Sequence, residues 1–179
     1  MDADTWKAFD QNPITHSVAH HVVAIADLRE KQGYARVSDV AKALNITRGS
    51  ASLTLKSLKQ RGLVGEDENR FLLLSEEGQV IADSVRNKKF IMKKLFCGVL
   101  GVTEDQADVD TCKIEHLISD ITAQRLGKFL RYIDTNDPRV QKFFSGWKAF
   151  DEPCNNDPSG CPACNADCMD EIYGGHTCD

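Results

Sequence analysis

Cys112, Glu115 and His116 stand at i, i+3 and i+4. On a helix that spacing puts a thiolate, a carboxylate and an imidazole on one face. Donors of these kinds hold a divalent transition metal, and three from one face leave one or two positions to be filled from elsewhere. A second constellation is Cys154, Cys161, Cys164, Cys168 and Cys178, with His176 nearby. Thiolates so close in sequence can close a tetrahedral zinc site or hold an iron–sulfur cluster. Pro158, Gly160, Pro162, Gly174 and Gly175 permit the tight turns that wrapping a metal needs. The spacing matches neither a zinc ribbon nor a bacterial ferredoxin run, so a metal-free, redox-sensitive tail is the third reading. A third set is Thr47, Arg48, Ser50, Ser52 and Lys56, followed by Lys59, Arg61 and Arg70. These polar and basic groups suit the phosphates and base edges of double-stranded DNA.

Composition bounds these readings. A chain of 179 residues has room for one large domain or two small ones with a real core. No apolar run approaches the roughly 20 residues that span a bilayer. The first residues, Met-Asp-Ala-Asp-Thr, are acidic and lack a signal-peptide core, which predicts a cytoplasmic protein. Seven cysteines in a reducing compartment point to metal or cluster chemistry instead of a disulfide framework. The net charge of −5 argues against indiscriminate nucleic-acid binding, but the charge is uneven. Arg36, Lys42, Arg48, Lys56, Lys59, Arg61 and Arg70 outnumber Asp39, Glu66, Asp67 and Glu68, and beyond Lys148 there is no Lys or Arg. A basic middle with an acidic end predicts a local nucleic-acid surface and a separate tail.

The elements that must position these groups follow from periodicity and capping. Asn12, with Pro13 behind it, predicts the start of a first helix carrying Val18, Val22, Ile25 and Leu28 on one stripe. His16, His20 and Val23 lie on another face, and Gly33 ends the helix. Ser38 is the expected cap of a short helix holding Val40, Ala41 and Leu44; Asn45 and Ile46 turn, and Thr47 caps a third helix facing Ala51, Leu55 and Leu58 inward. That is a helix-turn-helix. Residues 63–65 and 70–74 read as two short strands, and the whole as a winged helix. Ser75 starts a long helix through Val80, Ile81, Val85 and Ile91. Thr103 and Gln106 have the spacing of a capping box ahead of Cys112. Ser119 caps a helix whose Ile121, Leu126, Phe129, Leu130 and Ile133 form an apolar stripe, and Asp137-Pro138 opens a last short helix. Trp6-Lys-Ala-Phe-Asp10 recurs as Trp147-Lys-Ala-Phe-Asp151, which we read as coincidence.

In this order, Gly33-Tyr-Ala-Arg-Val-Ser-Asp39, the helix-turn-helix, Leu74-Ser-x-x-Gly78 and Cys112-x-x-Glu115-His116-x-x-Ser119-Asp120 resemble the diphtheria toxin repressor family of metal-dependent transcriptional regulators. The resemblance covers residues 14–134. It implies a mainly α protein with a winged helix DNA-binding domain over 1–75 and a helical dimerisation and metal-binding domain over 76–150; the irregular Cys-rich tail over 151–179 lies beyond it. It implies a homodimer on a palindromic operator, with repression of metal-homeostasis genes as the family default. It also implies a metal ligand from the first helix, and alignment back from Gly33 places His20 there. The expected site is therefore His20, Cys112, Glu115 and His116. Because a thiolate prefers borderline metals to manganese, Fe2+ is the first expectation, ahead of Mn2+, Zn2+ and Co2+.

The sequence departs from that family at several positions. Lys89 stands where a second metal site usually has a His, Lys93 and Asp108 replace other ligands of that site, and Val23 replaces a Glu of the manganese branch. Two lysines repel a cation, so a second site is not expected, and the Cys-rich tail stands where many relatives carry an SH3-like domain. Three other functions compete with the metal-dependent regulator. An iron–sulfur or redox sensor would use the tail. A protein-docking winged helix would not need DNA. An enzyme would need a paired acid and base, a nucleophile elbow or a phosphate loop, none of which the sequence offers, and Cys161-x-x-Cys164 is not set in a thioredoxin-like pattern. No enzymatic activity is expected.

Overall fold

The computed structural model describes residues 14–150, so the sequence readings on Asn12, on Trp6 and on the cysteines from Cys154 to Cys178 lie outside the described residues. Backbone packing divides the chain into Met1–Asp134 and Thr135–Asp179. No helix among the described residues is long and apolar enough to cross a membrane.

The first unit opens with α1 (His16–Gln32). Its cap is Thr15, whose hydroxyl accepts from the Val18 N–H at 3.3 Å, so the helix starts later than Asn12 would place it. Gly33, at φ 83°, takes the left-handed turn that ends it. Val18, Val22 and Ile25 are buried as the stripe requires. Helix α2 (Val37–Ala43) begins before Ser38. Its first turn is closed by Asp39, whose carboxylate accepts the Arg36 N–H at 3.1 Å. That bond from the third helical position back to the residue before the helix makes Arg36 the cap position, ahead of Ser38. Asn45, at φ 53°, makes the turn. Thr47 caps α3 (Arg48–Gln60), accepting from Ser50 N–H at 3.1 Å, and Ala51, Leu55 and Leu58 are buried as expected.

The wing is an antiparallel pair, β1 (Val64–Glu66) and β2 (Leu72–Leu74), with Val64 opposite Leu74 and Glu66 opposite Leu72. Its tip is held by Asp67, whose Oδ1 accepts from Asn69 N–H at 2.9 Å and Phe71 N–H at 2.8 Å. Arg29 of α1 donates to the Leu72 carbonyl at 3.2 Å, tying the wing to the first helix.

Helix α4 (Glu76–Lys93) is the shaft of the unit. It runs into a wider π-helical turn, Lys94–Val99. The Leu74-Ser-x-x-Gly78 motif has a direct physical basis. Ser75 Oγ accepts from Gly78 N–H at 3.1 Å and donates to the Leu63 carbonyl at 3.2 Å, and Ser75 N–H donates to the same carbonyl at 3.0 Å. A Cβ on Gly78 would collide with that oxygen. The absent side chain is what lets the wing dock on the start of α4.

α1 packs along α4, and α5 (Glu104–Ile114) packs on α4 as well. Arg86 of α4 pairs with Asp27 and Glu30 of α1, and Lys93 of α4 reaches Asp108 of α5 at 2.9 Å. Thr103 is the residue before α5 but makes no capping bond, and Gln106 donates instead to Asp110 at 2.8 Å, so the expected capping box is not formed. In a capping box the Gln106 amide oxygen would accept the Thr103 N–H; here the side chain runs along the helix instead, its NH2 donating to the Asp110 carboxylate. α6 (Asp120–Ile133) is capped by Ser119 as read. Its buried face is Ala123, Gly127 and Leu130, whereas Ile121 and Phe129 of the expected stripe are exposed. Gly127 lies against α4, with Ile91 Cδ1 3.4 Å from where its Cβ would stand, an ordinary contact distance.

In the second unit, α7 (Pro138–Ala149) is capped by Asp137, which accepts from Arg139 N–H at 2.8 Å.

Gly78→Ala should lower urea-unfolding stability by about 1–3 kcal/mol, the usual cost of forcing atoms into a filled space. A variant as stable as the parent protein would contradict the close approach of Leu63.

Candidate metal centre

Helix α5 ends at Ile114, so Cys112 is helical while Glu115 is its C-terminal cap and His116 lies in the following turn. The expectation of one continuous helical face is corrected to that extent. The facing survives because Glu115 keeps helical dihedrals, φ −55° and ψ −30°, and its N–H still donates to Thr111 O at 2.8 Å.

His20 enters from α1. Its Nε2 is 3.3 Å from Cys112 Sγ and 3.5 Å from Glu115 Oε1. These residues are 92 positions apart for the His–Cys pair. Glu115 is only 2% exposed. Its other oxygen, Oε2, is buried and finds no hydrogen-bond donor among the described residues. Protein interiors rarely leave a carboxylate oxygen so placed, because an unpaired buried charge costs several kcal/mol. Next to a thiol and an imidazole it has the form of a ligand waiting for a cation.

The sequence placed four residues in this site, and the structure brings His20, Cys112 and Glu115 together directly. His116 stands beside them through a residue that was not counted, His16. The His16 ring lies 4.2 Å from that of His20 and 5.3 Å from that of His116, centroid to centroid. Ligand atoms of His16, His20 and Cys112 all fall within 4.8 Å of one another. The signal was present, since His16 and His20 are four apart on one helix, but the alignment used a single first-helix position. His21, by contrast, is a core residue whose Nδ1 donates to the Ser17 carbonyl at 2.7 Å.

Electrostatics favour the uncharged form of each donor. Burial, reinforced by His16 and Lys89, pushes the His20 pKa from 6.5 down to about 4, so its imidazole is neutral at pH 7. Burial and then His16 also lower His116. Burial raises Glu115, against the pull of Lys89. Burial and the Glu115 charge raise the Cys112 thiol. A cation would displace the thiol proton and meet an imidazole with a free lone pair. Lys89 lines the same recess as His20, Val23 and Glu115. It thus places a basic side chain beside the donors.

The residues read for DNA sit on a second surface. Thr47, Arg48, Ser50, Ser52 and Lys56 are exposed on α3, and Arg70 is exposed on the wing. Lys59 is half-buried and pairs with Glu66 of β1, so its charge is already committed within the wing. Leu53, 73% exposed on the outer side of α3, was not singled out by a reading confined to polar residues. The tail cysteines lie outside the described residues; within them, Cys97 and Cys112 are free thiols.

Comparison with known proteins bears on the fold and on this centre. Residues 75–144 match the family described as iron dependent repressor, metal binding and dimerisation domain. The HTH-type transcriptional regulator MntR of Bacillus velezensis is 27% identical over 139 residues, which is 78% of this chain and 97% of that protein. The solved structure of the manganese regulator SloR has a TM-score of 0.60 at 26% identity, over 66% of this chain and 55% of its own. The metal-dependent transcriptional regulator MtsR has a TM-score of 0.61 at 19% identity, over 66% of this chain and 55% of its own, a likeness of fold alone. This chain therefore spans just over half the length of those two solved structures. The resemblance drawn from the motifs holds, and so does the mainly helical fold with its N-terminal helix-turn-helix.

Glu115→Gln keeps the shape and removes the buried charge. Without metal, its thermal midpoint should stay level or rise. The gain from added Zn2+, about 2.7 kcal/mol at a hundredfold excess over Kd for a bound ion, should shrink. A lower metal-free midpoint with an undiminished gain from metal would make Glu115 a structural residue only.

Proposed function

We propose that this chain, whose residues 75–144 belong to the metal-binding and dimerisation domains of the iron dependent repressors, is a metal-dependent DNA-binding transcriptional regulator acting as a homodimer. The observation that carries the reading is the meeting of His20 with Cys112 and Glu115, 3.3 and 3.5 Å away. His20 belongs to the first helix of the winged domain, and its two partners to the helix beyond α4. A cation held by His20, Cys112, Glu115 and His116 would fix α1 against α5, and with α1 the wing that Arg29 ties to it.

Each further part of the proposal has its own support. The exposed Arg48, Ser50, Ser52 and Lys56 put hydrogen-bond donors and positive charge on the second helix of a helix-turn-helix, the element that enters a major groove. Thr47 and the N-terminus of α3 suit a phosphate, and exposed Leu53 suits a thymine methyl. Arg70 is placed for the backbone from the wing, and Lys59 buttresses the wing through Glu66. Val80, Phe90 and Ile121, exposed on α4 and α6, are the apolar surface on which a second copy would pack. Two copies related by a two-fold axis would address a palindromic operator.

The metal is the finer question. The relatives MntR and SloR carry names of manganese or HTH regulators. The thiolate of Cys112 argues for a borderline ion, and we place Fe2+ first with Zn2+, Co2+ and Mn2+ behind it. An iron–sulfur or zinc function for Cys154, Cys161, Cys164, Cys168 and Cys178 has no support in the family match, which ends at residue 144.

His20→Ala should abolish metal-dependent binding to a promoter duplex in a gel shift while leaving the dimer intact. A coupling of about 1–3 kcal/mol corresponds to a loss of roughly 5–150-fold. Unchanged metal dependence would remove His20 from the centre.

A further inference from the structure

His16 is not required by the four-ligand reading, yet it sits at the centre of the imidazole cluster. It lies one helical turn before His20 on α1, and the two rings are 4.2 Å apart at a 45° tilt. Its other neighbour is His116, 5.3 Å away and edge-on at 63°. Ligand atoms of His16, His20 and Cys112 lie within 4.8 Å of one another. Donors sharing one four- or five-coordinate ion, with bonds of about 2.0–2.3 Å, are mostly about 3–4 Å apart, so a small rotamer adjustment closes the gap. A His pair at i and i+4 on one helix is an arrangement that binds zinc in other folds. The backbone already supplies that spacing here.

We propose that His16 is an additional metal ligand, so that α1 contributes two imidazoles and the centre holds three imidazoles, one thiolate and one carboxylate. The proposal rests on the reading of the same cluster as a metal centre and adds to it a ligand and a selectivity. Carboxylate, carbonyl and water oxygens suit manganese; imidazole and thiolate suit iron, cobalt, zinc and their neighbours. His16 turns a mixed set into one dominated by nitrogen and sulfur. Two ligands on consecutive turns of α1 also fix the rotation of that helix about its axis, which a single ligand does not. His16 itself is exposed, so replacing it leaves the core of α1 untouched.

The test uses the full chain, titrated without oxygen with Co2+ and separately with Mn2+. Thiolate-to-cobalt charge transfer and visible d–d bands report the coordination. Cys112→Ser identifies the share of the signal that belongs to this centre and not to the tail cysteines. In His16→Ala, the Cys112-dependent cobalt signal should change shape and its midpoint should weaken by about 10–100-fold. Mn2+ affinity should fall by much less, so that the preference for cobalt narrows. Circular dichroism should show the variant folded. A His16→Ala signal identical to the parent, while His20→Ala loses it, would overturn the role of His16 and leave the centre standing. A parent protein with no Cys112-dependent signal at all would overturn the metal centre, and the His16 ligand with it.

Discussion

A carboxylate buried between two helices with one oxygen lacking a donor sets the terms for the rest of the molecule. Glu115 is 2% exposed; Oε1 stands 3.5 Å from His20, and Oε2 has no hydrogen-bond partner among the described residues. Left ionised and unpaired, such a group costs several kcal/mol. Two features reduce that cost in the protein itself: the positive charge of Lys89 at the mouth of the recess, and an upward pKa that favours the neutral acid. On the proposed reading a cation removes the cost altogether, and the free energy released appears as a tighter α1–α5 contact. The switch would then be a stored desolvation penalty relieved by metal.

That penalty can act at a distance only because α4 holds both sides. α1 and α5 each pack on α4, through the Arg86 pairs to Asp27 and Glu30 and through Lys93 to Asp108. The wing is locked to the start of α4 by the Leu63 carbonyl, which Ser75 grips twice and which Gly78 allows to approach. On the proposed reading, these contacts would connect His20 to the wing and α3. α1 is the element common to the metal cluster and to the core of the winged helix, where Val22 and Ile25 are fully buried.

Much of this was legible because its signals are local. Thr47, Ser75, Ser119 and Asp137 cap helices as their side chains promise, and Gly33 and Gly62 stand at positive φ where helices end. The misreadings arose where a nearby side chain offered a different hydrogen bond. Asp39 accepts the Arg36 N–H, so α2 starts ahead of Ser38, and Gln106 donates to Asp110 and forms no box with Thr103. The stripe on α6 failed for a different reason: periodicity identifies an apolar face but not which neighbour it meets. Ala123, Gly127 and Leu130 form the buried face, and Ile121 is left outside. Cys112, Glu115 and His116 were found by spacing, and His20 by the family resemblance. His16 was passed over because its partner, His116, is a hundred residues away in sequence and adjacent only once α1 and α5 share α4.

The central claim is that one cation takes ligands from both α1 and α5. Diffraction from crystals of the full chain loaded with Fe2+ or Zn2+, collected at the absorption edge of that metal, tests it most directly. The account predicts an anomalous peak about 2.0–2.3 Å from His20 Nε2, Cys112 Sγ and a Glu115 oxygen at once. A loaded crystal whose anomalous peaks all lie away from Glu115, with His20 still in contact with Cys112, would contradict it.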